Sequence, residues 1–125
     1  MARVLALTRD LLFGSRVQGA FAAAGHELEL IGGEAQLRAR LEHGAGTPAD
    51  ALVVDLTDAE LGGAQLLSSL RAEGLLAGTP ALAFYSHVDA EARARAERAG
   101  FELVVPRSRM AREGAELLER LLSAS

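Results

Sequence analysis

Short aliphatic runs alternate along the chain with stretches of helical periodicity. Val4-Leu5-Ala6-Leu7 suits a buried strand. Ser15 stands three residues before Gln18, a capping-box spacing that predicts a helix running to about Ala24, with Gly25 past its end. His26 to Ile31 alternates polar and apolar residues, the pattern of a half-exposed edge strand, and a polar helix with Leu37 and Leu41 inward follows. Gly44 to Pro48 is turn chemistry. Ala51-Leu52-Val53-Val54 is the most apolar strand and ends at Asp55. After it, Leu61, Leu66, Leu67 and Leu70 recur at helical spacing, with Gly74 near the stop. Pro80 opens a fourth strand, Ala81 to Tyr85. A helix from Val88 to about Ala99 ends at Gly100, Leu103-Val104-Val105 forms a fifth strand, and a last helix carries Leu117, Leu118, Leu121 and Leu122.

Strand and helix therefore alternate from end to end, which predicts one α/β domain over residues 1–125, with a mostly parallel sheet covered by helices on both faces. In such a sheet the binding crevice lies beyond the carboxyl ends of the strands. This directs attention to Thr8–Asp10, Gly32–Glu34, Asp55–Asp58, Ser86–Asp89 and Pro106–Arg109.

Composition narrows the chemistry. The 125 residues are 50% hydrophobic and 24% charged, so the chain can bury a core. The net charge of −4 argues against general binding to nucleic acid or anionic membranes. With no Cys there is no disulfide, thiolate zinc site or cysteine nucleophile, and with no Lys there is no Schiff base or P-loop lysine. No secretory or membrane-spanning stretch is present, which makes the cytoplasm the expected location.

The common enzyme motifs are absent. Gly14 and Gly19 have P-loop spacing, but Ala20 and Phe21 stand where Lys and Ser/Thr are required. Gly44-Ala45-Gly46 follows a helix, the reverse of a dinucleotide fingerprint's context, and there is no Gly-x-Ser-x-Gly elbow. His26, His43 and His87 lie on separate segments without metal-site spacing and read as surface or strand-end residues.

The crevice residues carry a resemblance. Val53-Val54-Asp55-Leu56, then Gly62-Gly63, then Leu66-Leu67-x-x-Leu70-Arg71 resembles the receiver domain of two-component response regulators. Thr79-Pro80, Ser86 and Pro106-Arg107-Ser108 fit the same family over nearly the whole chain. Asp10-Leu11-Leu12-Phe13, Ser86-His87-Val88-Asp89 and the Pro-Arg-Ser are similar to a divergent, stand-alone, pseudo-receiver-like branch. The resemblance implies a flavodoxin-like (βα)5 three-layer sandwich with a central five-stranded parallel sheet and no output domain. Asp55 would hold the phosphoacceptor position, Ser86 and Arg107 the switch and phosphate-contact positions, and Asp10 the acidic pocket.

Receivers supply an acidic pair after the first strand, and Mg²⁺ wants several oxygen ligands, carboxylates among them. Here that stretch is Thr8-Arg9-Asp10, so Arg9 is expected to occupy the place of the second acid and oppose the metal. Arg107 replaces the usual Lys, a rigid fork for a point charge. Ser86 could instead cap the fourth helix, with Asp89 and Glu91 at its positive end, and Asp10 could pair with Arg9 or Arg107.

The leading expectation is a non-enzymatic, pseudo-receiver signalling protein that binds a protein partner, a histidine kinase or other signalling protein, with phosphorylation lost or reduced and no cofactor. The alternative is a working receiver, phosphorylated on Asp55 by a histidine kinase with Mg²⁺ held by Asp10 and Asp55. A further alternative is an enzyme or small-anion binder on the same fold, near Gly14-Ser15-Arg16. The partner surface, and a homodimer contact, are expected on the fourth helix, fifth strand and fifth helix, with Asp89, Arg93, Arg109 and Arg112 as its residues. Arg93, Arg95, Arg98, Arg107, Arg109 and Arg112 read as a solvated face, with Asp89–Arg93 and Glu91–Arg95 as surface ion pairs, and not as a nucleic-acid patch.

Overall fold

The computed structural model describes residues 1–42, 48–86 and 89–124. Its strands are β1 (Arg3–Leu7), β2 (Glu27–Ile31), β3 (Ala51–Asp55), β4 (Ala81–Tyr85) and β5 (Leu103–Pro106). Its helices are α1 (Leu11–Ala23), α2 (Glu34–Glu42), α3 (Gly63–Ala72), α4 (Ala90–Ala99) and α5 (Arg107–Ser123), with a 3-10 turn over Ala59–Leu61. All strand pairs are parallel, in the order β2-β1-β3-β4-β5. This is the expected flavodoxin-like (βα)5 sandwich, because each strand-to-strand crossover is a helix that packs back on the sheet.

β3 and β4 are central and buried along their whole lengths, which is why they read as unbroken apolar runs. β2 lies at one edge and β5 at the other. On β2, Glu27 pairs with Arg3 at 2.9 Å and Glu29 with Arg40 at 3.2 Å. One face of the sheet packs on Phe13, Val17 and Phe21 of α1 and on Met110, Leu117 and Leu121 of α5. The opposite face packs on Leu37 of α2, Leu66, Leu67 and Leu70 of α3, and Ala96 of α4.

Most boundaries fall as the pattern predicts. Gly25 and Gly100 adopt positive φ just past α1 and α4, where an L side chain would be strained. The start of α1 is different. Asp10, not Ser15, is the N-cap, its carboxylate accepting the Phe13 N–H at 3.0 Å, so Gly14 and Ser15 lie inside the helix. Leu61 belongs to the 3-10 turn and α3 begins after it; Gly62, in the left-handed region, separates the two. The Gly44 turn, apart from Pro48, lies outside the described residues, as do His43, His87 and Val88. Among the described residues, no helix is long and apolar enough to cross a membrane.

Candidate functional site

The strand order reverses between β1 and β3, and there the ends of the two strands face one crevice. Asp55 ends β3 and is 2% exposed. A buried carboxylate must find donors, and this one has three. Thr8 Oγ1, just past β1, donates to Asp55 Oδ2 at 2.8 Å. The Thr57 backbone N–H and Thr57 Oγ1 donate to Oδ1 at 2.8 and 2.6 Å. Both carboxylate oxygens are thus engaged by neutral donors. Thr8 Oγ1 also accepts the Asp10 N–H at 3.1 Å, so one hydroxyl joins β3 to the entry of α1.

Asp10 is committed as well. Its Oδ1 caps α1 and its Oδ2 takes an ion pair from Arg107 Nη2 at 2.8 Å. The Arg107 guanidinium also lies over the Phe13 ring, 4.3 Å from the centroid, a cation–π contact that fixes its direction.

Arg9 departs from expectation. It does not enter the acidic pocket: Nε contacts Asp58 Oδ2 at 2.6 Å, and Nη2 contacts Asp58 Oδ1 at 2.8 Å and Glu60 Oε1 at 3.2 Å. The planar guanidinium matches a carboxylate at two points, so two acids at the surface outcompete a pocket that already holds Arg107. The pair strengthens both charges. Asp58 is held below the usual aspartate range, chiefly by the Arg9 hydrogen bond, and Arg9 is raised by the hydrogen bonds it donates to Asp58 and then Glu60. This clamp ties the loop after β1 to the loop after β3. The cation beside Asp10 is Arg107.

Ser86 is half-buried and lines a cleft with Phe13, Arg16, Thr57, Arg107 and Ser108. It does not cap α4; Asp89 does, accepting the Ala92 N–H at 2.9 Å. Arg93 pairs with Glu97, at 3.6 Å, and not with Asp89. Glu91–Arg95 forms as expected, at 3.9 Å. Arg109 and Arg112 both lean on Glu113, at 3.6 and 3.8 Å, so the cations of this face are largely answered within it.

His26, read as a surface or strand-end residue, stands just before β2 but keeps its ring mostly buried. Nδ1 accepts the Ala2 N–H at 3.0 Å, which leaves the proton on Nε2 to meet Glu119 at 3.2 Å. Thr8 and Thr57 fell within the crevice ranges, yet sequence reasoning gave them no role. The available signal was a hydroxyl residue two positions after an aspartate, a spacing at which Asp side chains bond locally. Among the described residues, no group of three His, Cys, Asp or Glu side chains is placed to hold a metal ion.

Comparison with solved structures agrees with this fold. The chain is similar to the Francisella response regulator 1452 receiver domain (TM-score 0.81, 17% identity, 99% of this chain and 98% of that one). It is also similar to a CheY-like response regulator receiver domain protein from Methanospirillum hungatei (TM-score 0.81, 17% identity, 99% and 95% covered). The chemotaxis response regulator CheY4 of Vibrio cholerae matches with TM-score 0.78 and 19% identity over 97% and 98% of the two chains. The chain has the fold of the response-regulator receiver domain. No family model matches the sequence, and no curated protein matches it.

Proposed function

We propose that this chain is a cytoplasmic, receiver-fold signalling module of the pseudo-receiver kind, which works by binding a protein partner and not by carrying a phosphoryl group. The observation that supports this reading is the engagement of the two pocket carboxylates. Asp55 is held by Thr8 and Thr57, and Asp10 by its own helix and by Arg107. Magnesium requires a near-octahedral set of oxygens and neutralises the charge of phosphoryl transfer by binding them. Two carboxylates already spoken for, one of them salt-bridged to an arginine, do not fit that requirement. Arg107, not Arg9, supplies the positive charge of the pocket.

A partner would meet the face formed by α4, β5 and α5, where Asp89, Arg93, Arg109 and Arg112 lie. The three arginines are paired with Glu97 and Glu113, so this contact is expected to be polar and salt-sensitive.

A second reading has one observation in its favour: Thr57, Ser86 and Arg107 line a single cleft. In a working receiver, Asp55 would accept the phosphoryl group, Asp10 would help hold Mg²⁺, and Ser86 and Arg107 would contact the phosphate. Incubation with Mg²⁺ and a small phosphodonor, followed by intact-mass spectrometry, separates the two. The first reading expects no adduct. A mass increase of one phosphoryl group that Asp55→Asn abolishes establishes the second.

A further inference from the structure

α1 is a surface helix with an apolar outer face. A helix that covers a core on one side is normally charged on the other. Of the thirteen residues of α1, only Arg16 is charged. Leu11 is 70% exposed and Leu12 88%, and with Met1 they are the large hydrophobic residues exposed among the described residues. Further along, Gly19, Ala20, Ala22 and Ala23 are exposed.

Gly19 is the most informative of these. Glycine is a poor residue for a helix interior, so it calls for a reason. The other helix-interior glycines have one within the chain. A Cβ on Gly14 would lie 2.9 Å from Leu30 Cδ2, and one on Gly114 would lie 3.1 Å from Phe21 Cε1. Gly19 has negative φ and nothing within 4 Å of where its Cβ would be. No contact within the chain requires it, whereas a second backbone approaching from outside would.

We infer that α1 is the contact face of a twofold homodimer, packed antiparallel against α1 of a second copy. The face is self-complementary in shape, with large residues at its start and small ones at its end. An antiparallel pairing centred between Val17 and Gln18 sets Leu12 over Ala23 of the other copy and the Arg16 stem over Gly19. It is also self-complementary in charge. Arg16 makes no ion pair among the described residues, and neither does Glu116, which is exposed on α5. α5 runs alongside α1 in the same direction, as the Phe21–Gly114 contact and the Glu119–His26 bond show. Reversing one copy brings its Arg16 towards the Glu116–Glu119 end of the other. An isologous contact of this kind closes at two copies. The inference does not depend on whether Asp55 is phosphorylated.

Sedimentation velocity over a wide concentration range tests it. The full chain is expected to shift from monomer to dimer as concentration rises. Leu12→Asp is expected to remain monomeric throughout and to melt where the dilute, monomeric wild type does, since the side chain is exposed and an acid suits the first turn of a helix. Gly19→Leu should also block the dimer, while Arg93→Glu and Arg109→Glu should leave it intact. The chain has no cysteine, so mixing Leu12→Cys with Ala23→Cys under mild oxidation reports direction. A cross-link between the two variants, in excess of either alone, supports the antiparallel arrangement. A wild-type monomer at every concentration overturns the inference. So does a dimer that survives Leu12→Asp, or cross-linking of Leu12→Cys only to itself. A monomer that binds anionic vesicles through Leu12 assigns the face to lipid and overturns it equally.

Discussion

Replacing Thr8 by Val tests the physical basis of the pocket. The side chain keeps nearly the same shape and loses only its hydroxyl, which is buried and makes two bonds. The bond donated to the Asp55 carboxylate is charge-assisted and should be worth roughly 1.5–3 kcal/mol, and the bond accepted from the Asp10 N–H about 1 kcal/mol. Thr8→Val should therefore destabilise the fold by about 2–4 kcal/mol. With an unfolding entropy near 2.1 cal/mol/K per residue over 125 residues, that corresponds to a melting temperature roughly 8–15 °C lower. Thr8→Ser, which keeps the hydroxyl, should lose less than about 1.5 kcal/mol. Urea unfolding of Thr8→Val, Asp55→Asn and the double variant completes a cycle. Removing the charge from residue 55 weakens the bond to Thr8, so the two changes should couple by about 1 kcal/mol. A loss below about 0.5 kcal/mol for Thr8→Val, or strict additivity in the cycle, would refute the assignment of Thr8 as a donor to a buried carboxylate.

Three further outcomes are expected. Asp58 has its pKa lowered in the folded state, so its contribution to stability is present above the ordinary aspartate value, near 4, and is lost as pH falls through the folded value. Acid titration of stability should thus show a loss below about pH 4 that Arg9→Gln diminishes. Gly63→Ala would place a Cβ 2.6 Å from Val54 Cγ1 and 2.8 Å from Leu56 Cδ2. Val54 is buried and stiff, so α3 must shift, and chemical denaturation should register a loss of about 1–3 kcal/mol. Asp89→Ala removes the N-cap of α4 and should cost about 1 kcal/mol in thermal unfolding, whereas Ser86→Ala should leave the helix start unaffected.

The strands were legible because each is a short apolar run that needs no distant partner to be recognised. The alternation of elements then constrained the topology, since parallel strands require crossovers. The start of α1 was obscured for a particular reason. Leu11 and Leu12 point outward, so the first turn breaks the inward periodicity that marks a helix, and Ser15 with Gln18 offered a false beginning. The destination of Arg9 depends on Asp58, forty-nine positions away, and no local pattern encodes that pairing. Arg107 could be placed in the crevice by its position after β5, but its choice of Asp10 follows from the Phe13 ring that orients it. Asp89 was given a supporting role at α4, where it is the cap, and Arg93 turns to Glu97 on its own helix.

Both margins of the sheet are closed to strand addition. Along β2 the outward glutamates are held by Arg3 and Arg40, and a fresh strand docking there would have to accommodate those charges. At the other margin β5 is only four residues long and ends in Pro106, which has no N–H to donate. Fibril-like growth by edge pairing is disfavoured at each side, so assembly of this chain is left to contacts that do not extend the sheet.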